Sequence, residues 1–162
     1  MSEERFHRWL EYDDWANREA LSSLQQAGFP AGCPAKCLAW LGHVVGTQSE
    51  WLARLEGRKS ELAVWPTLPL DEIAGHLDHL RSAWSRYLGA LGPDGLDRAI
   101  SYKNTRGESW RSRVDDVLTH VVLHGAYHRG QIASELRSAG MAPSTTDFIH
   151  AARKGLLDRE PG

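Results

Sequence analysis

Residues 117–132 read VLTHVVLHGAYHRGQI, and the spacing of their apolar side chains predicts an α-helix, which we expect to run from about 113 to 139. At about 100° per residue, Val117, Val121 and Ile132 share one face of this helix. His124 and His128 lie at the centre of the same face. We therefore expect both imidazoles to point into the interior of a helical bundle.

Two histidines four residues apart can bind one metal ion, because their side chains lie one turn apart on one helix face. Hydrogen-bonded core histidines are the alternative interpretation. Metal binding is favoured because clustered imidazoles each need polar partners, and one ion satisfies several of them. A zincin protease is excluded, because Gly125 stands where its glutamate would be. The candidates for a third ligand, among which helical periodicity does not choose, are His43, His76, His79, His120 and Glu135.

Three other segments have the apolar spacing of amphipathic helices, namely residues 4–26, 35–56 and 71–91. A short helix is predicted near 146–153. Residues 94–111 break the helical period and are expected to form an irregular connection or a short hairpin. The pattern predicts an all-α four-helix bundle with a short C-terminal helix, formed by one domain over residues 1–162. Up-down-up-down topology is the simplest expectation, although the 94–111 connection is long enough for a crossover.

The composition is that of a globular domain, with 162 residues, 41% hydrophobic and 25% charged. The net charge of −2 argues against a nucleic-acid partner. No stretch has the length of a membrane span, and the first residues lack the apolar region of a secretory signal, so we expect no membrane partner. Cys33 and Cys37 cannot form a disulfide framework, and their spacing is not that of a zinc site. They are expected to be surface or helix-start thiols in a cytoplasmic protein.

Three residues beside the histidines have two interpretations each. Gly125 and Gly130 indicate either a close approach of packed backbones or room for a ligand. Arg129 could contact an anionic substrate, but an arginine in such a position more often pairs with a carboxylate at an interface.

Ser112 and Asp115 resemble a capping box at the start of the helix.

Four segments, in the same order along the chain, resemble the DinB/YfiT-like family of metal-binding four-helix bundles. They are YDDWANR at 12–18, LGHVV at 41–45 with EWL at 50–52, HVVLHGAYHRGQI at 120–132, and LRSAGMAP at 136–143 with DFI at 147–149. The resemblance implies His43, His124 and His128 as the metal ligands. It also implies a divalent ion, zinc or nickel first and manganese as an alternative, and a homodimer. Leu123 departs from the family, which often has asparagine there.

Some members of this family are similar to enzymes that transfer a low-molecular-weight thiol, such as bacillithiol or mycothiol, to an electrophile, or that isomerise maleylpyruvate. Three protein ligands would leave the ion an open position for a small-molecule substrate. His120 or Gln131 could accept hydrogen bonds from the ligand imidazoles. The resemblance places a thiol-dependent S-transferase first. A metal-dependent hydrolase and a non-catalytic metal-binding or stress-response protein are the alternatives.

Overall fold

The computed structural model describes residues 2–157 and shows a helical bundle with one small hairpin. In chain order the elements are α1 (Glu3–Gln26), α2 (Ala35–Leu55), α3 (Ile73–Gly89), β1 (Ala99–Lys103), β2 (Ser109–Arg113), α4 (Val114–Ser138) and α5 (Phe148–Arg153). The predicted all-α bundle and its short C-terminal helix are confirmed. Within residues 2–157, no helix is both long and apolar enough to cross a membrane.

The four long helices do not pack in the order of the sequence. Helix α1 packs mainly against α3 and α4, and α2 packs mainly against α4 and α3, so that α1 and α2 lie diagonally opposite each other. Helices α1 and α4 run parallel. Arg129 meets Asp13 near the middle of both helices, and Ser144, beyond the end of α4, donates its backbone N–H to Ser23 near the end of α1. Alternating directions would make this pair antiparallel, so the up-down-up-down expectation is wrong.

Residues 99–113 form an antiparallel hairpin, as one of the two expectations for the 94–111 connection proposed. Tyr102 pairs with Trp110 in its register. Asn104 closes the turn, because its Oδ1 accepts the backbone N–H groups of Arg106 and Glu108. The capping box is wrong. Helix α4 begins after Arg113 with no side-chain cap, because the Ser112 hydroxyl instead pairs with the Tyr102 hydroxyl in the hairpin.

A buried polar network joins all four long helices at mid-height. Arg129 Nη1 of α4 donates to Asp13 Oδ1 of α1 at 2.6 Å, and both side chains are almost fully excluded from solvent. Asp13 Oδ2 accepts from Asn17 on its own helix and from Gln48 of α2, at 3.0 and 2.7 Å. Gln48 in turn accepts the indole N–H of Trp84 from α3 at 3.0 Å. The Asp13 carboxylate thus accepts hydrogen bonds from side chains of α1, α2 and α4, and the Gln48 amide connects α3 to it.

The guanidinium of Arg129 stays charged in this setting. Burial opposes its charge, but the adjacent Asp13 carboxylate outweighs that effect and holds the pKa of Arg129 above its usual value. The pair also explains Gly125. A Cβ atom built on Gly125 would lie 2.5 Å from Asp13 Oδ1 and 2.7 Å from Arg129 Nη1. The space at Gly125 is therefore occupied by two side chains, not by a packed backbone or a ligand, whereas a Cβ on Gly130 would meet open space.

The first prediction concerns the contact between Gly125 and the ion pair. Gly125→Ala inserts a methyl group there, and overpacking with damage to a buried pair should lower the free energy of unfolding by at least about 2 kcal/mol. Gly130→Ala is the matched control, and it should be neutral or stabilise by up to about 1 kcal/mol. Urea denaturation followed by circular dichroism measures both. Equal effects of the two substitutions would show that the clearance at Gly125 is unimportant.

Candidate metal centre

Three histidine side chains converge between α2 and α4. His43 comes from α2, and His124 and His128 come from successive turns of α4. Their candidate ligand atoms all lie within 4.8 Å of one another, and Nε2 of His124 is 3.2 Å from Nε2 of His128. In a tetrahedral site with metal–nitrogen bonds of about 2.0–2.1 Å, the nitrogens are about 3.3 Å apart. The spacing on α4 therefore fits two imidazoles that share one ion.

Hydrogen bonds on the far side of two rings fix which nitrogen faces the centre. His43 Nδ1 donates to the backbone carbonyl of Val64 at 2.8 Å. His128 Nδ1 donates to Oε1 of Gln131 at 2.7 Å. A carbonyl oxygen only accepts, so in each ring the proton lies on Nδ1 and the lone pair lies on Nε2. Gln131 is thus a hydrogen-bond partner of one of the three histidines.

The electrostatics of the cluster keep its imidazoles neutral. Burial, together with the neighbouring histidines, lowers the pKa of His124 to about 4. Burial is also the main cause that lowers the pKa of His43 and of His128. Neutral imidazoles are the form that binds a metal ion, so at pH 7 these rings need not lose a proton before they bind one.

A short segment lies directly on α2 over His43. We name residues 63–66 the strap. The indole of Trp65 stacks on the His43 ring with 3.7 Å between centroids and 5° between planes. A Cβ atom on Gly46 would lie 2.8 Å both from the Val64 carbonyl oxygen and from Pro66 Cδ. Glycine at position 46 thus allows the strap to come close enough to hold His43 by a hydrogen bond and a ring stack.

Large apolar side chains that remain exposed gather beside the cluster. We name Trp65, Leu123 and Tyr127 the apolar rim; each is more than half exposed. The Tyr127 ring meets the His128 ring edge-on at 5.1 Å, and Trp65 meets it edge-on at 6.4 Å. Exposed apolar groups gathered at one place mark surfaces that bind a ligand or partner. Asparagine is frequent in the family at position 123, where this chain adds an apolar group instead.

Of the other proposed third ligands, His76, His79 and Glu135 make their contacts outside the cluster. His76 and His79 line a separate cleft on α3. Glu135 forms an ion pair with Lys36 at 2.6 Å. His120 lies nearby, with its ring 5.4 Å from that of His124. Among residues 2–157, the one group of histidine, cysteine or acidic side chains with metal-site spacing consists of His43, His124 and His128.

Arg129 and the cysteines are turned away from the cluster. Arg129 follows His128 in the chain, but its side chain is buried on Asp13, so its position does not support contact with a substrate anion. It pairs with a carboxylate as expected, within one chain rather than at an interface. Cys33 and Cys37 are free, and they are buried, so the surface alternative for them is wrong. Burial, together with Cys33, raises the pKa of Cys37 to about 12, which keeps this thiol protonated.

Sequence reasoning missed the groups that hold His43 in place. Val64 and Trp65 fall in the connection between the predicted helices 35–56 and 71–91, and no local pattern marks a backbone carbonyl as a histidine partner. The glycines at positions 42 and 46 of α2 are the signals that a segment packs there, since a Cβ atom on Gly42 would lie 3.3 Å from the Pro66 carbonyl oxygen. Asp13 and Gln48 lie within or beside segments that resemble the family, without a role being assigned to them.

Comparisons with known proteins agree with this geometry. The family model described as the DinB family matches residues 1–158. A protein from Bacillus subtilis (strain 168), described as protein DinB, is 27% identical over 156 residues, which cover 85% of this chain and 88% of that protein. The similarity therefore extends over both the bundle and the histidine cluster.

The second prediction tests the strap. Gly46→Ala should push the strap off α2, and the loss of its carbonyl from His43 should weaken zinc binding about tenfold, the usual scale for loss of a ligand's hydrogen-bond partner. Gly75→Ala on α3 is the control, since a Cβ there meets open space. Competition with a chromogenic chelator gives both affinities. Unchanged affinity in Gly46→Ala would mean that the strap does not position His43.

The third prediction concerns pH. Histidines in an unfolded chain have a pKa of about 6.5, whereas the pKa values in the folded cluster are lower, and that of His124 is about 4. The unfolded state therefore gains protons first as the pH falls through this range, and the metal-free fold should lose stability. The metal-free His124→Leu variant should lose less folding stability over the same pH range. Urea denaturation with a chelator at pH 7 and pH 5 measures this, and parallel losses in the two proteins would contradict it.

Proposed function

The chain belongs to the DinB family, and on this basis we propose that it binds one divalent metal ion through His43, His124 and His128. The observation that carries the proposal is the convergence of three imidazoles. In two of them, His43 and His128, a carbonyl oxygen that accepts a hydrogen bond from Nδ1 sets the orientation of the ring. A donor set made only of nitrogen suits zinc or nickel, and manganese is the alternative that the family resemblance implies. Neutral ligands leave the ion its full double charge, and three of them leave a coordination position open.

We propose further that the protein is an S-transferase that uses a low-molecular-weight thiol. A bound divalent ion would hold the thiol sulfur as a thiolate at neutral pH, which is the nucleophilic form. The chain's own cysteines do not offer this nucleophile, because Cys33 and Cys37 are buried and the pKa of each is raised. The sulfur therefore has to come from a small molecule.

The residues around the cluster favour such a transfer. The apolar rim offers Trp65 and Tyr127 as contacts for the apolar part of an electrophile. The strap and Gln131 keep His43 and His128 from rotating, so that the open side of the cluster keeps its shape. A hydrolase would need a general base beside the ion; no carboxylate belongs to the metal-site group among residues 2–157, although His120 lies near it. The transferase is placed first because of the family resemblance.

The setting of the reaction is part of the same proposal. We propose a cytoplasmic homodimer that acts on a small molecule, since the family resemblance implies a dimer and cellular thiols are abundant in that compartment. The exposed apolar rim gives the substrate a place to bind near the metal. A non-catalytic metal-binding protein is the alternative that the experiments below separate from an enzyme.

The fourth prediction is about metal content. Tag-free protein should contain close to one equivalent of a divalent metal by mass spectrometry, and His124→Ala should lose it, because two imidazoles leave the ion with too few protein ligands. His76→Ala, which removes a histidine from α3 outside the cluster, should keep the metal. A parent protein that takes up no metal even after reloading would return the three histidines to a structural role.

Activity assays then separate the remaining functions. The metal-loaded protein is given a chromogenic aryl halide with and without a small thiol, and an aryl ester without thiol. A transferase consumes the halide only when metal and thiol are both present. Ester cleavage that needs metal and no thiol would indicate the hydrolase. Metal binding with neither reaction would leave the protein as a metal-binding one.

A further inference from the structure

A second feature lies beside the metal centre and takes no part in holding the metal. It is an open cleft of about 770 Å³ between the segment at 57–64 and strand β1, and we name it the basic cleft. Its volume is in the range of sites that bind small molecules. Although the chain carries a net charge of −2, basic side chains outnumber acidic ones in the cleft. The charged residues that line it are Arg54, Arg58, Lys59 and Lys103, with Glu50 and Glu61.

Arg54 is held rigidly at the inner end of this cleft. Its guanidinium lies over the rings of Trp51 and Tyr102, at 4.6 and 4.8 Å from their centroids, and its side chain is only 13% exposed. Nη2 forms an ion pair with Glu50 Oε1 at 2.9 Å and donates to the Lys103 carbonyl at 3.3 Å. Within the described residues both of these contacts are made by Nη2, which leaves the N–H groups of Nε and Nη1 for a ligand. An arginine fixed in this way needs little reorganisation to bind a carboxylate.

The basic cleft adjoins the metal centre along two paths. The Trp51 ring that supports Arg54 also contacts the His120 ring at 5.5 Å, and His120 contacts His124. Val64 lines the cleft and at the same time accepts the hydrogen bond from His43. Arg54 lies three turns after His43 on the same face of α2, about 16 Å along the helix axis. The cleft and the cluster thus share Val64, and Arg54 is connected to His124 through the rings of Trp51 and His120.

The mixed charges indicate the kind of molecule. Arg54, Lys59 and Lys103 would attract carboxylates, whereas Glu61 would attract an ammonium group and repel a highly charged phosphate. An amino-acid-like or peptide-like compound carries both of these groups. We propose that the basic cleft binds the carboxylate-bearing part of such a small molecule, with Arg54 as the residue that recognises the carboxylate. The further step, in which the reactive end of this molecule meets the metal, rests on the proposed function. Binding of the molecule in the cleft does not depend on that function.

The test uses S-methylglutathione, a peptide-like compound with two carboxylates and one ammonium group. Its sulfur is methylated and cannot form a thiolate, so its binding reports on the cleft rather than on metal–thiolate bonding. Isothermal titration calorimetry on metal-free and metal-loaded protein should show saturable binding at or below about 1 mM in both. The diethyl ester, which lacks both carboxylate charges, should bind at least about tenfold more weakly.

Variants locate the binding. Arg54→Gln should weaken it about tenfold or more, because a charged hydrogen bond is lost. Lys103→Gln removes an exposed charge at the same cleft and should weaken it less, without risk to the fold. Arg137→Gln is the control, because this exposed arginine lies at the opposite end of the bundle from Arg54. Arg137 is in the last turn of α4, and this end of α4 lies beside the start of α2, since Glu135 pairs with Lys36 there. Arg54 lies at the other end of α2. Circular dichroism confirms that each variant is folded.

The outcomes separate this inference from the proposed function. No saturable binding up to several times 1 mM, equal binding of the ester, or full binding by folded Arg54→Gln and Lys103→Gln would each overturn it. Metal content is measured on the same preparations. A protein that takes up no metal but binds the probe through Arg54 would remove the proposed function and leave the cleft assignment standing. A protein that binds metal but not the probe would remove the cleft assignment and leave the proposed function standing.

Discussion

The buried ion pair between Asp13 and Arg129 is the constraint on which the rest of the bundle depends. Two opposite charges are removed from water at the centre of the molecule, and the stability of such a pair depends on its geometry and on its other hydrogen bonds. Asn17 and Gln48 supply further bonds and Gly125 leaves the space for them, while Nε of Arg129 has no hydrogen-bond partner within residues 2–157. Because Arg129 follows His128 directly, the ion pair also fixes the height and rotation of α4, which carries two of the three histidines.

Helical periodicity was enough to predict the long helices and the inward direction of His124 and His128. It could not give the packing order, because an apolar face shows which side of a helix is buried and not which helix covers it. For the same reason it left His43, His76 and His79 equal as third ligands, and only the resemblance to a family distinguished them. Ser112 shows a further limit, since its hydroxyl pairs with Tyr102 across a hairpin that the capping pattern does not include.

The parts of the site that escaped prediction share a physical property: they depend on groups that the fold brings together from distant parts of the chain. The Val64 carbonyl is a good acceptor whatever side chain position 64 carries. The approach of the strap depends on what is missing at Gly46, not on a group that is present. Arg54 has an unremarkable place in the sequence, and its position between two aromatic rings follows from the hairpin that brings Tyr102 to α2. Such relations are long-range, and no local pattern contains them.

His43 and His124 belong to different helices and lie far apart in the chain, whereas His124 and His128 are one turn apart. An ion held by all three would therefore act as a reversible cross-link that closes a long loop, much as a disulfide bond does in an oxidising compartment. The two ligands on α4 are brought together by helix formation alone, so the entropic gain comes almost entirely from tying α2 to α4. In a protein whose two cysteines remain free, a chelator would then have the effect on the fold that a reducing agent has on a secreted protein.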